Sequence, residues 1–156
     1  MTKFYLAYGS NLNVEQMKWR CPDAEIVGTA EITGYELRFR GSLTGSYLTI
    51  EKQYGKAVPV AVWAVSAGDE KALDRYEGYP NFYYKKDFTL KVNLQNGGTK
   101  TLDCFAYIMH ENRPLGIPTK RYIETCLEGY NDFGFDENIL LESVKRTGEL
   151  LWKTRK

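Results

Sequence analysis

The sequence predicts an α+β fold, a curved or closed antiparallel sheet with flanking helices. Strand-like segments outnumber the helical ones and precede most of them, an alternating segment near residue 90 makes a clear hairpin, and no internal repeat or low-complexity linker interrupts the order. A βαβ parallel sheet would instead alternate strand with helix. The 156 residues suit one compact domain, residues 1–156, long enough to bury a hydrophobic core without disulfide or metal staples.

Lys3 to Ala7 reads as a short strand. Tyr8-Gly9-Ser10-Asn11-Leu12 follows as a loop and feeds a short helix from about Val14 to Arg20, which Pro22 ends. From Ala24 to Val65 the chain is β-rich, with Glu36 to Arg40, Tyr47 to Glu51 and Ala57 to Val65 dense in β-branched, aromatic and aliphatic residues and separated by glycines. Ser66-Ala67-Gly68-Asp69 has the capping-box pattern, so a helix starts there and runs through Leu73 to about Tyr76, with Gly78 at its C-cap and Pro80 beyond. Phe88, Leu90, Val92 and Leu94 alternate with Thr89, Lys91 and Asn93; Asn96-Gly97-Gly98 makes the turn and Leu102 to Met109 completes the hairpin. Thr119 to about Tyr130 and Glu137 to Leu151 close the chain as helices, the second with Leu140, Val144 and Leu151 on one core-facing side.

Composition narrows the function. Lys and Arg number 21 against 20 Asp and Glu, a net charge of +1, so no long-range field draws in nucleic acid or an anionic membrane. The basic end, Lys153, Arg155 and Lys156, reads as a solvated terminus. Thr2 and Lys3 lead straight into a strand, with no signal-peptide pattern and no apolar run of about 18 residues, which points to the cytosol. Cys21, Cys104 and Cys126 are an odd, widely spaced set without C-x-x-C, as expected of reduced thiols rather than a structural zinc site. A single histidine, His110, leaves little room for mechanisms that use imidazole as both base and ligand.

Two features offer chemistry. Gly9, Ser10 and Asn11 tolerate unusual backbone angles and sit where a strand hands over to a helix, a place that presents unpaired N–H groups to a carboxylate or a developing oxyanion. An ordinary βα turn with Asn11 or Asn13 as N-cap is the alternative. Glu77 falls in the last turn before Gly78, where the negative end of the helix dipole disfavours an anion. That field raises the carboxyl pKa, as would burial by Leu73, Tyr76, Tyr79 and Phe82, and a raised pKa suits a general base at neutral pH. A solvated surface glutamate is the alternative, with Asp74 as a nearby example. Strand parity sets Tyr84 with Phe88, Leu90 and Val92 and so points it inward, with Tyr83 outward; Lys86 shares the inward parity. With 12 tyrosines in the chain, packing competes with any binding role. Ser10 lacks a G-x-S-x-G context and no G-K-[ST] follows a glycine run, which argues against a serine hydrolase and a P-loop.

With Tyr8-Gly9-Ser10-Asn11-Leu12 near one end and Leu73-Asp74-Arg75-Tyr76-Glu77-Gly78-Tyr79-Pro80 after the β-rich part, the chain resembles the γ-glutamylcyclotransferase-like (AIG2-like) family. Pro118-Thr119 with Tyr122, and Gly129-Tyr130 with Phe133-Gly134-Phe135, extend the likeness over nearly the whole chain. The resemblance implies a small mixed, largely antiparallel β-barrel with flanking α-helices. It implies Tyr8, Gly9, Ser10, Asn11 and Leu12 as the binding loop, Glu77 as the catalytic residue, and a tyrosine soon after it, Tyr83 or Tyr84, as a substrate contact. Parity favours Tyr84. The implied activity is an acyltransferase- or lyase-type cyclisation of a small γ-glutamyl compound to 5-oxoproline, with no metal or cofactor. A γ-glutamylamine or acyl-carrier-linked substrate, or a non-catalytic module that binds a γ-glutamyl metabolite, are the alternatives. Monomer and homodimer are both compatible.

Overall fold

The computed structural model describes residues 2–41 and 45–154. Arg155 and Lys156 of the basic end lie outside the described residues. Five strands, β1 (Lys3–Ala7), β2 (Glu25–Gly41), β3 (Ser46–Val65), β4 (Tyr83–Leu94) and β5 (Thr99–Met109), close a barrel in the order β1-β3-β2-β4-β5. Every neighbouring pair is antiparallel except the closing one, where β1 meets β5 in parallel at Tyr5 and Phe105. Around it lie a 3-10 turn (Ser10–Leu12), α1 (Val14–Arg20), α2 (Ala67–Glu77), α3 (Lys120–Phe133) and α4 (Glu137–Thr154). The mixed, largely antiparallel barrel with flanking helices agrees with the expected fold.

The segments expected from Ala24 to Val65 merge into two long strands. Pairing runs from Glu25 with Ala64 to Gly41 with Ser46, and the partner of β2 steps from Ala57 to Lys52 between Thr33 and Tyr35. Gly34 and Gly55, which break the apolar pattern, sit at this step inside one continuous ladder. Phe39, Leu48, Ile50, Val58, Val60 and Val62 from these strands are fully buried with Leu6 of β1 and Ile108 of β5.

α2 begins as its sequence dictates. The Ser66 hydroxyl accepts from the Asp69 N–H at 3.1 Å, and the Asp69 carboxylate accepts from the Ser66 N–H at 3.2 Å. It ends at Gly78, whose φ of +62° lets Tyr79 N–H reach back to the Asp74 carbonyl at 2.9 Å. The described helix therefore keeps Glu77 as its last residue, one beyond the expected end. Leu73, with no exposed surface, anchors it to the core, and Lys85 of β4 fastens its flank through Glu70 at 2.7 Å and Asp74 at 2.9 Å.

Candidate active site

A cavity of about 430 Å³ opens where β1 runs out into the Tyr8–Leu12 loop. Its walls come from Tyr5, the loop residues Tyr8 to Asn11, Tyr47 and Leu48 of β3, the Arg75–Gly78 end of α2, Phe82, Tyr83, Tyr107 and Tyr122. Seven of these are tyrosines, counting Tyr5, Tyr8, Tyr47, Tyr76, Tyr83, Tyr107 and Tyr122. The wall is therefore apolar in bulk while offering hydroxyl groups at fixed points.

Glu77 carries the only carboxylate among the described residues that line this cavity. Among those residues it makes no side-chain hydrogen bond and no ion pair, so little compensates the water it loses. Burial pushes its pKa from the ordinary 4.5 up to about 8, and the positive charge of Arg20 pulls against that rise. Burial is thus the dominant cause, and the aromatic shell that produces it differs from the expected one. Tyr76 and Phe82 contribute, but Leu73 is in the core and Tyr79 lies outside under the Lys85 ammonium, 4.4 Å from its ring centre. Tyr5, Tyr8, Tyr83, Tyr107 and Tyr122 supply the rest, and the pKa of each is raised, first by its own burial; the Glu77 charge comes next for Tyr5, Tyr8 and Tyr83, while Asp74 precedes it at Tyr107 and Cys126 at Tyr122.

The loop is held by its side chains. The Tyr8 hydroxyl donates to the Tyr107 carbonyl at 2.6 Å. Ser10 Oγ and the Tyr76 hydroxyl are 2.8 Å apart, and Asn11 Nδ2 donates to the Tyr5 hydroxyl at 2.9 Å. Gly9 is needed for closeness: a Cβ there would come within 3.1 Å of the Tyr122 hydroxyl, which itself accepts from Leu48 N–H. Within the turn, the N–H of Leu12 is already spent on the Gly9 carbonyl at 3.0 Å, and that of Asn13 on Ser10. Among the described residues these turn bonds engage neither the Ser10 nor the Asn11 N–H.

The loop is both a helix entry and a cavity wall. Asn13 caps α1 by accepting from Gln16 N–H at 3.1 Å, as an ordinary βα turn requires, while Gly9, Ser10 and Asn11 line the cavity. Leu12 departs from expectation. It is fully buried and points away into α3, where a Cβ on Gly129 would lie 2.5 Å from its own Cβ. Its part is to dock the loop.

Parity misassigned the tyrosine. Tyr83 is 5% exposed, lines the cavity and donates to the Leu48 carbonyl at 2.8 Å. Tyr84 lies on the opposite face, half-buried, with its hydroxyl on Glu111 at 2.5 Å. In the ladder Tyr83, Lys85 and Asp87 stand opposite Met109, Tyr107 and Phe105, and Tyr84, Lys86 and Phe88 stand opposite Ile108, Ala106 and Cys104. Phe88 packs against Tyr35, so the even face is indeed covered, but the cavity faces the odd one. An apolar alternation shows which side is covered by protein and says nothing about which side holds a pocket.

Arg20, Tyr5, Tyr47, Tyr107 and Tyr122 were not among the sequence candidates. Tyr5 and Arg20 flank the loop at its strand and helix ends, and Tyr122 stands in the Pro118-Thr119 motif, so the signals were present but silent about direction. His110 is outside the cavity, its Nε2 2.8 Å from the Pro80 carbonyl. All three cysteines are buried and unpaired. No group of three or more His, Cys, Asp or Glu among the described residues is arranged to hold a metal.

A carboxyl of raised proton affinity and a Gly-Ser-Asn turn line one aromatic cavity on a small barrel, an arrangement suited to acid/base chemistry on a small molecule. Comparison with known proteins names the family. Residues 5–124 match the family described as "Gamma-glutamyl cyclotransferase, AIG2-like", and the chain belongs to it. Gamma-glutamylcyclotransferase of Homo sapiens is 30% identical over 139 residues, 83% of this chain and 71% of that protein. Its Mus musculus counterpart is 28% identical over 145 residues, 87% of this chain and 74% of that one. A solved structure titled "Gamma-glutamyl cyclotransferase" superposes with a TM-score of 0.75 at 26% identity, covering 95% of this chain and 87% of that one.

Proposed function

We propose that this chain is a γ-glutamyl cyclotransferase that closes the γ-glutamyl group of a small substrate into 5-oxoproline and releases the attached amine or amino acid. The observation that carries the reading is Glu77, an unpaired carboxyl pushed to about 8 and set against a Gly-Ser-Asn turn. In such a substrate the α-amino nitrogen attacks its own γ-carbonyl carbon. A C–N bond forms, the five-membered lactam closes, and the γ-carbon to leaving-nitrogen bond breaks. The substrate supplies the nucleophile, so the protein has to fold it into the attacking geometry and move a proton.

Glu77 takes a proton from the α-ammonium and passes it to the departing nitrogen, and the second proton, shed by the ring nitrogen as the C–N bond forms, follows the same path, so the lactam keeps one N–H and the amine leaves as an ammonium. At about 8 the proton affinity of Glu77 lies far closer to that of an α-amine than an ordinary carboxylate's does, which eases transfer in either direction. The ammonium, once bound, is the counter-charge that the empty pocket denies the carboxylate. Open N–H groups at the start of the Gly9–Asn11 turn hold the α-carboxylate or the oxyanion. Tyr83 forms the wall, and Arg75 on the rim is the cation that favours a leaving group bearing a carboxylate. The same reading sets the reaction in the cytosol, supported by three buried, unpaired cysteines; no described helix is long and apolar enough to cross a membrane.

The test is release of 5-oxoproline from a panel of γ-glutamyl amino acids and γ-glutamyl amines by the wild type and by Glu77→Gln. Release by the wild type alone supports the reading, and the order of the panel ranks the leaving groups. Tight binding of one member with no release from any would replace the enzyme with a binding module.

A further inference from the structure

Arg20 makes no ion pair among the described residues. Its guanidinium lies 3.4 Å over the Tyr76 ring centre, Nη1 donates to Asn11 Oδ1, and Nη2 donates to Gln16 Oε1 at 3.3 Å. Both acceptors are neutral amides, and no carboxylate among the described residues forms an ion pair with it. Two of the three residues it touches, Asn11 and Tyr76, line the cavity from different elements. Asn11 belongs to the loop and passes the constraint to Tyr5. Tyr76 immediately precedes Glu77, and its hydroxyl returns to Ser10 of the same loop. Arg20, Asn11, Ser10 and Tyr76 thus join α1, the loop and α2 in one network.

We propose that Arg20 is a positioning residue that locks the Gly9–Asn11 turn to the Glu77-bearing end of α2 and keeps an uncompensated positive charge facing that carboxyl. The inference rests on the cyclisation reading of the site. The groups that face Glu77 from the elements packed around it are Tyr5 of β1, Tyr8 of the loop, Tyr83 of β4, Tyr107 of β5 and Tyr122 of α3, all phenols. Arg75 stands on the rim, and Arg20 is the cation that acts on Glu77. A planar fork suits this post because it stacks and donates at once, whereas a lysine supplies only the charge.

That difference makes the inference testable with Arg20→Met and Arg20→Lys. Three readouts are needed: the pH profile of kcat/KM with KM on the best γ-glutamyl substrate, the titration of the Glu77 carboxyl by 13C NMR with Glu77→Gln for assignment, and the melting temperature. Arg20→Met removes charge and fork, so the Glu77 midpoint and the acid limb both move up, and kcat/KM at pH 7 falls on the order of tenfold for each unit of that move. Arg20→Lys keeps the charge, so the midpoint stays near that of the wild type while KM rises several-fold because the turn is no longer clamped. A wild-type midpoint and KM in Arg20→Met would overturn the inference. So would losses in both variants that track melting temperature alone. Absence of 5-oxoproline from every substrate would sink the cyclisation reading; the Glu77 midpoints in the two variants then decide the Arg20 inference by the same criterion.

Discussion

At the scale of the residue, Glu77 stands out because burial outweighs the one nearby charge that favours its ionised form. A folded-state pKa of about 8 against an ordinary 4.5 means that the native protein holds a proton which the unfolded chain has released. Stability tied to Glu77 is therefore complete below about pH 4.5 and falls as pH climbs to about 8. Glu77→Gln carries no such proton. In thermal melts the substitution should gain on the wild type as pH rises through that window and keep a constant lead above it; parallel curves would show that the carboxyl is not buried as described. The same titration predicts a kcat/KM that climbs with pH toward about 8, where Glu77 becomes a base. Neighbouring tyrosines separate wall from bystander. Tyr83→Phe loses the bond to the Leu48 carbonyl, about 1 kcal/mol of stability, and loosens a cavity wall, so kcat/KM falls, whereas Tyr84→Phe gives up only a half-exposed contact with Glu111 and leaves activity near wild type. Equal losses in both, by steady-state kinetics, would remove Tyr83 from its assigned role. Glu77 was legible from sequence because its oddity is local, an anion at the wrong end of a helix. The direction of Tyr83 was not, because it depends on which face of β4 the helix α2 covers, a fact held in Glu70, Asp74 and Lys85 together.

Elements put those residues where they act, and two junctions show how. Ser66 starts α2 far from the cavity, so Ser66→Ala should cost about 1 kcal/mol of stability and leave kcat/KM unchanged. Gly129 has the opposite position in the argument. It lets α3 approach the loop so closely that a Cβ would meet the Leu12 carbonyl carbon at 2.6 Å and the Asn13 nitrogen at 2.7 Å, both backbone atoms that cannot swing aside. Gly129→Ala should therefore cost at least about 3 kcal/mol and damage activity, since the loop must retreat from the cavity it lines. Asn13 reinforces this docking through Glu128 at 2.9 Å and the Thr125 carbonyl at 3.2 Å. Urea melts with assays in the native baseline would separate the two variants, and a Gly129→Ala protein as active and stable as wild type would refute the account of the junction. Helix ends such as Ser66 and Gly78 could be read in advance because caps are written in four or five consecutive residues. The lengths of β2 and β3 could not, since a ladder with an internal register step looks, residue by residue, like several short strands broken by Gly34 and Gly55.

For the molecule as a whole, the consequence is that no fragment contains the site. Tyr5 comes from β1, Leu48 from β3, Glu77 from α2, Tyr83 from β4, Tyr107 from β5 and Tyr122 from α3, with the turn between β1 and α1 at the centre. Those strands meet only because the barrel closes, and it closes through narrow seams, one parallel pair between Tyr5 and Phe105 and two pairs joining Gly28 and Thr29 to Leu94 and Asn93. Opening the β1–β5 seam separates Tyr5 from Tyr107, whose rings are 5.8 Å apart, and opening the β2–β4 seam breaks the closure of the barrel that carries them both. Loss of activity and loss of secondary structure should consequently fall on one urea curve, without an inactive intermediate that keeps its sheet. A ligand that fills the cavity contacts all these elements at once, so 5-oxoproline at about 100 times its Kd should add about 2.7 kcal/mol and move both transitions together, by roughly 1 M urea. Activity lost at lower urea than the circular dichroism signal would show instead that the loop and α2 open as a unit of their own, in which case the Arg20 network, and not the barrel, sets the limit on the working site.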